Sequence, residues 1–146
     1  MNLPDLLSMS VGILYLIPLI FYILNPNLIH LKAFIGVGGT TIISESIKYV
    51  LGKISPRPQG AKNCNLLCND GNQSGQPGMP SSHSATVAFF SSFYFQETNS
   101  IIIKVLLIGY AGIVMMSRWI KSCHSIAQII GGAALGVSLS LLVRHL

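Results

Sequence analysis

An all-α bundle of about five transmembrane helices, with its chemistry gathered at one membrane face, is the fold this sequence predicts, and three observations carry it. The 146 residues are 51% hydrophobic and only 9% charged, with a mean hydropathy of +0.61. A soluble domain carries about 25% charged residues, so this chain has too little ionic side chain to coat a globule. Its apolar residues fall in long segments, broken by short polar turns and one long polar stretch. Two histidines, His83 and His124, and several cations stand at the ends of those segments. By length the chain is a single domain, residues 1–146.

Leu6 to Leu24 is nearly unbroken apolar sequence, long enough to cross a hydrocarbon core of about 30 Å. The residues before it lack the basic region of a secretory signal, so the segment reads as a retained anchor. Pro18 is a candidate kink, tolerable where neighbouring helices satisfy the freed backbone groups. Asn25-Pro26-Asn27 ends the span as a turn. Leu28 to Leu51 is a weaker span rich in Gly, Ser and Thr. Small residues let helices approach closely in lipid, which places this span at the centre of the bundle. Ser44 and Lys48 share one of its faces.

Gly52 to Met79 is the one long polar stretch; a loop of that length in a small domain is functional or disordered. It contains the glycosylation sequon Asn72-Gln73-Ser74. Ser81 to Phe95 is a short third span, and Ile101 to Ser117 a fourth, with Lys104 able to snorkel near its start. Ser125 to Val143 is the fifth, with Gly131, Gly132, Ala133, Ala134 and Gly136 as a packing face. Five spans bring the end of the second, the start of the third, the end of the fourth and the start of the fifth to one side. The residues with chemical potential lie at those four places.

The net charge of +5 comes from nine Lys/Arg against four acids. The cations neither run together nor form a stripe, which argues against a nucleic-acid partner. Asp5, Glu45, Asp70 and Glu97 are scattered, whereas a Mg²⁺ site wants clustered carboxylate oxygens. No metal or other cofactor is expected, and catalysis would rest on protein cations. Cys64 and Cys68 read either as a small disulfide loop facing an oxidising space or as two ordinary thiols, with Cys123 left over. Zinc is disfavoured by the loose spacing and the lack of a second pair. Lys53, Lys62 and Lys121 on the site side balance Lys32, Lys104 and Arg144 on the other, so charge bias does not orient the chain.

Met79-Pro80-Ser81-Ser82-His83 opens the third span. Serines at a helix mouth leave backbone N–H groups and a hydroxyl beside the positive end of the helix dipole, an anion site to which His83 adds a donor or a proton. Simple N-capping by a surface segment is the competing reading. His124 and Gln128 are four apart on one face of the fifth helix. A histidine whose Nδ1–H is held by a side-chain oxygen has Nε2 free as a nucleophile; an imidazole snorkelling at the interface is the alternative. Arg118 lies six residues upstream beside Ser117. Arg57, between two prolines, offers a guanidinium fork for phosphate, and Lys48 a point charge.

Together these stretches, KYVLGKISPRP, GMPSSHS and SRWIKSCHSIAQ, resemble the three-part signature of the type-2 phosphatidic acid phosphatase superfamily. That pattern is Lys-x₆-Arg-Pro, then Pro-Ser-Gly-His, then Ser-Arg-x₅-His-x₃-Asp, and the resemblance covers about residues 45–136. Three departures stand out. Eight residues separate Lys48 from Arg57, so that either a two-residue insertion extends the turn or Lys53 supplies the charge. Ser82 replaces the glycine and Gln128 the aspartate. The GMPSSH segment and a glutamine followed by small residues are closest to the dolichyl diphosphatase branch.

The resemblance implies a metal-independent lipid phosphatase of a multi-pass membrane, with no cofactor. His124 would attack phosphorus, Gln128 would orient it, and His83 would protonate the leaving oxygen. Lys48, Arg57, Ser81, Ser82 and Arg118 would bind the phosphoryl oxygens. A polyisoprenyl diphosphate is the implied substrate, and the luminal face of the endoplasmic reticulum or an equivalent membrane the implied location. A broader lipid monoesterase such as a phosphatidate phosphatase is the first alternative; a non-catalytic membrane protein that binds lipid phosphate is the second.

Overall fold

Asn2 starts the first helix. Its side chain accepts from the Asp5 amide at 3.0 Å while the Asp5 carboxylate reaches back to the Asn2 amide, a reciprocal capping box. In the computed structural model, which describes residues 2–146, the helices are α1 (Leu3–Ser10), α2 (Ile13–Leu24), α3 (Leu28–Leu51), α4 (Ser82–Glu97), α5 (Ile101–Ile120) and α6 (Ile126–His145). Strand pairing among the described residues is limited to two isolated bridges in the loop between α3 and α4, Pro56 with Pro77 and Lys62 with Asn72. The all-α expectation holds.

The first span is interrupted at Val11–Gly12, and α2 runs unbroken through Pro18. Around the interruption the Val11 and Gly12 amides bond three residues back, to Ser8 and Met9, so one turn tightens and the rod continues. Among the described residues, three helical stretches are long and apolar enough to cross a bilayer: Leu3–Leu24, Ile101–Ile120 and Ile126–His145. Their exposed Ile13, Ile20, Leu106, Ile113, Ile130 and Leu141 present apolar surface to the surroundings, as in an integral membrane protein. The other two expected spans, α3 and α4, do not meet that standard. At 16 residues α4 is short of a span, and α3 is diluted by His30, Lys32, Glu45, Lys48 and its Ser and Thr residues. α4 is buried from Ser82 to Phe93 almost without a break, packed on α6, α3 and α5, so protein rather than lipid covers it.

Close approach depends on the glycines of the expected packing face. A Cβ on Gly136 would lie 2.1 Å from the Ala85 carbonyl oxygen, and one on Gly132 would lie 2.4 Å from that of Ser81. These two positions seat α6 against α4. Val37, Phe89, Phe93 and Val114 are the centre of the core between the helices.

The long polar loop is built rather than loose. Arg57 N–H donates to Gln76 O at 2.8 Å, Gln73 N–H to Ala61 O at 2.8 Å and Gly78 N–H to Ser55 O at 3.1 Å. Cys64 forms a disulfide with Cys123, 59 residues away, and Cys68 is free. Neither reading of the sequence, a Cys64–Cys68 loop or two ordinary thiols, foresaw that bond to the leftover Cys123. Cys68 instead lies 3.0 Å from the Lys121 ammonium, which also pairs with Asp5 at 2.8 Å. The disulfide and Lys121 thus tie the loop to the α5–α6 turn and to the start of α1.

Candidate active site

The four chain segments singled out by sequence converge on a cavity of about 510 Å³ at one end of the bundle. Glu45, Lys48, Arg57, Ser82, His83 and His124 line it. Each reaches it through local structure. α3 ends at Leu51 and passes into a 3₁₀ turn, Gly52–Ile54; this turn absorbs residues between Lys48 and Arg57. Lys48 is the lysine that enters the site, where its Nζ donates to Ser82 Oγ at 2.9 Å and to Glu45 Oε1 at 2.6 Å. Lys53 is exposed.

Ser81 caps α4: its hydroxyl faces the Ser84 amide and accepts from Ser84 Oγ at 3.0 Å, and its own N–H donates to Gln128 O at 3.1 Å. Being buried and committed to the cap, Ser81 holds the helix start in place and leaves the cavity to Ser82. The N–H groups of Ser82 and His83 belong to the first turn, which has no intrahelical acceptor for them.

Ser122, at φ 55°, supplies a left-handed residue after α5. The Cys123 and His124 amides then both turn back to Arg118 O, at 3.0 and 3.3 Å. This turn delivers His124 to the cavity at 2% exposure. Its Nδ1 lies 3.0 Å from Gly78 O and 3.3 Å from Gln128 Oε1. Both are acceptors, so Nδ1 carries the proton and the Nε2 lone pair is left to accept from Arg57 Nη1 at 3.2 Å. Burial, reinforced by the positive charges of Arg57, Arg118 and Lys48, holds this imidazole well below the usual histidine range. It is neutral at pH 7.

Gln128 has more partners than the sequence suggests. Its Oε1 accepts from the Ser125 amide at 3.1 Å while Ser125 Oγ accepts from the Gln128 amide, a second capping box. Its Nε2 donates among Ser55 O, Ser55 Oγ and Pro56 O at 2.9–3.1 Å. Gly78 is required beside it, since a Cβ there would lie 2.6 Å from Gln128 Nε2. The glutamine therefore joins the turn before Arg57, the start of α6 and the His124 ring. The carbonyl of Gly78 is the nearer partner of Nδ1, and sequence reasoning missed it.

Arg118 is fully buried and sits behind the cavity wall. Nη1 donates to Ser8 Oγ and Nη2 to Cys64 O. Ser8 Oγ also lies 3.2 Å from His83 Nε2. Because a guanidinium can only donate, the Ser8 proton is free to go to His83 Nε2. The Nε groups of Arg57 and Arg118 are buried and have no partner among the described residues.

Three contributors were not foreseen. Ser8 bridges Arg118 and His83, Glu45 bonds Lys48 and Ser82, and the disulfide precedes His124 directly. One of them left a trace in the sequence, Glu45 one helical turn before Lys48; the capping box at the start of α6 was also legible, as Ser-x-x-Gln from Ser125.

A family model described as the PAP2 superfamily matches residues 29–146 of the chain. No curated protein and no solved structure matches it.

Proposed function

This chain belongs to the PAP2 superfamily, whose members are phosphatases, and from that premise we propose that it hydrolyses a polyisoprenyl diphosphate of the dolichyl type through a phosphohistidine intermediate. The observation that carries the reading is His124: a neutral imidazole, its Nδ1 proton held by Gly78 O, its Nε2 lone pair turned toward Arg57 in the cavity.

In the first step Nε2 bonds to the terminal phosphorus, the bond from phosphorus to the bridging oxygen breaks, and His83 gives that oxygen a proton. Water then attacks the phosphohistidine and releases inorganic phosphate. Arg57 must pass from Nε2 to a phosphoryl oxygen as the substrate enters, which frees the lone pair for attack. Lys48, Arg57 and Arg118 place three cations at or behind the cavity, and Ser82 adds its hydroxyl. Such preorganised donors stabilise charge as it develops. The unpartnered Nε of Arg57, which lines the cavity, supports an anionic ligand, because a buried N–H without an acceptor is costly. Ser81 contributes through the cap, and Gln128 through the alignment of His124.

In this reading all five helical rods cross the bilayer, α3 and α4 at its centre. The site faces the lumen of the endoplasmic reticulum or an equivalent extracytoplasmic space. The Cys64–Cys123 disulfide supports that side, because structural disulfides persist in oxidising compartments.

The test is phosphate release by the purified protein from polyprenyl diphosphate and from phosphatidate, in excess EDTA. Faster release from the diphosphate is expected, undiminished by the chelator. A preference for phosphatidate would make the chain a lipid monoesterase. Loss in EDTA with rescue by Mg²⁺ would contradict the mechanism.

A further inference from the structure

Glu45 stands where a phosphatase has no evident use for a carboxylate. One of its oxygens, Oε1, accepts from both Lys48 Nζ and Ser82 Oγ. Those are two of the donors assigned above to the phosphoryl group. A carboxylate oxygen and a phosphoryl oxygen are the same kind of acceptor, so the two anions compete for one pair of donors. The two partners also differ in freedom. The Lys48 side chain is 10% exposed, whereas that of Glu45 is 43% exposed and borders the cavity. The lysine is fixed, and the glutamate has room to leave.

We infer that Glu45 is a built-in competitor of the phosphoryl group, which substrate displaces from Lys48 and Ser82 and which returns to expel inorganic phosphate. The inference rests on the phosphatase reading of the same site and adds a residue that governs product release. The plainer alternative is that Glu45 only holds a buried lysine in place, as a buried charge requires. The two make opposite predictions. A holder that is removed weakens phosphate binding; a competitor that is removed strengthens it.

Binding of inorganic phosphate to the purified full chain, followed by calorimetry, separates them. Glu45→Gln removes the charge and keeps an acceptor oxygen; Glu45→Ala removes both and gives a second reading if the first variant folds poorly. Either should bind phosphate about tenfold more tightly than wild type, the scale of one screened like-charge contact. Turnover at saturating lipid diphosphate should fall as release slows, with KM falling alongside. Unchanged or weaker phosphate binding in the variants, beside a wild-type chain that binds phosphate and hydrolyses lipid diphosphate, overturns this inference alone. A wild-type chain that does neither overturns the phosphatase reading and this inference with it.

Discussion

His124 and His83 border the same cavity but are held in opposite ways. His124 is buried among three partners, with a backbone carbonyl and a side-chain oxygen on Nδ1 and a guanidinium on Nε2. His83 is partly exposed, and its one side-chain partner among the described residues is Ser8, brought from the first helix. The difference fits two kinds of work. A nucleophile must present one lone pair in one direction, which calls for a fixed tautomer and ring. An acid that gives up a proton and regains it at every turnover needs access and a partner that can rotate, and a hydroxyl meets both needs.

The largest effect is expected at the fixed histidine. His124→Ala should lower turnover by about 10⁴ or more, the scale on which loss of a nucleophile is felt, with no phosphoenzyme formed. His83→Ala should cost about 10²–10⁴ on an alkyl lipid monophosphate, whose alkoxide leaves poorly without a proton, and much less on activated aryl phosphates, whose leaving oxygen needs none. Equal losses on both substrate types would make His83 a phosphate binder and erase the contrast.

The support around His124 comes next. The disulfide joins the residue before it to the long loop, and Cys64 O and Cys123 O accept from Arg118 and Arg57. Replacing Cys64 and Cys123 by Ser should lower stability by about 2–5 kcal/mol, measured as a shift in thermal midpoint. Before reduction, alkylation should label Cys68 alone.

Gln128→Ala should slow turnover by only about tenfold, because Gly78 O still holds Nδ1–H. Its stability cost should be about 1 kcal/mol, from lost hydrogen bonds to the part-buried Ser55 and Ser125 groups and the Pro56 carbonyl. Gln128→Glu should be worse than Gln128→Ala in a melting assay: both lose the donations to the Ser55 and Pro56 carbonyls, and only the glutamate sets a buried carboxylate against those oxygens.

The smallest effect is in pH. An imidazole held neutral by burial and neighbouring cations binds fewer protons folded than unfolded, so stability falls as pH drops below about 6.5. His124, the proposed nucleophile, stays unprotonated where an ordinary histidine is already charged. The acid limb of kcat/KM that belongs to His124 should therefore lie below 6.5, and a limb above that value, assigned to His124 by its ring NMR signals, would argue against the cationic surroundings.

Much of this was legible in the sequence for a physical reason: periodic apolar segments and charges at their ends report which surface meets lipid and which end meets water. The all-α class, the glycine face of α6 and the meeting of Lys48, Arg57, Ser82, His83 and His124 follow from it. Hydropathy was a poorer guide to α3 and α4: α4 is short and covered by protein, and α3 mixes exposed apolar residues with a buried stripe of Gly, Ser, Thr and Lys48. Long-range pairings were hidden as well. Nothing local to Cys64 favours Cys123 over Cys68, and Ser8, in an apolar run, gives no sign of the two side chains it joins. The glutamine at 128 read as a substitute for an aspartate, whereas its amide protons are what the neighbouring carbonyls require.

Trapping the covalent intermediate tests the central claim most directly. Wild-type protein, mixed with polyprenyl diphosphate carrying a labelled terminal phosphate and quenched in alkali within one turnover, should carry the label on a peptide containing His124. The bond should be stable to alkali and broken by acid, as a phosphohistidine is. Full turnover without label at His124, or label at His83 instead, would contradict the assignment of the fixed histidine as nucleophile.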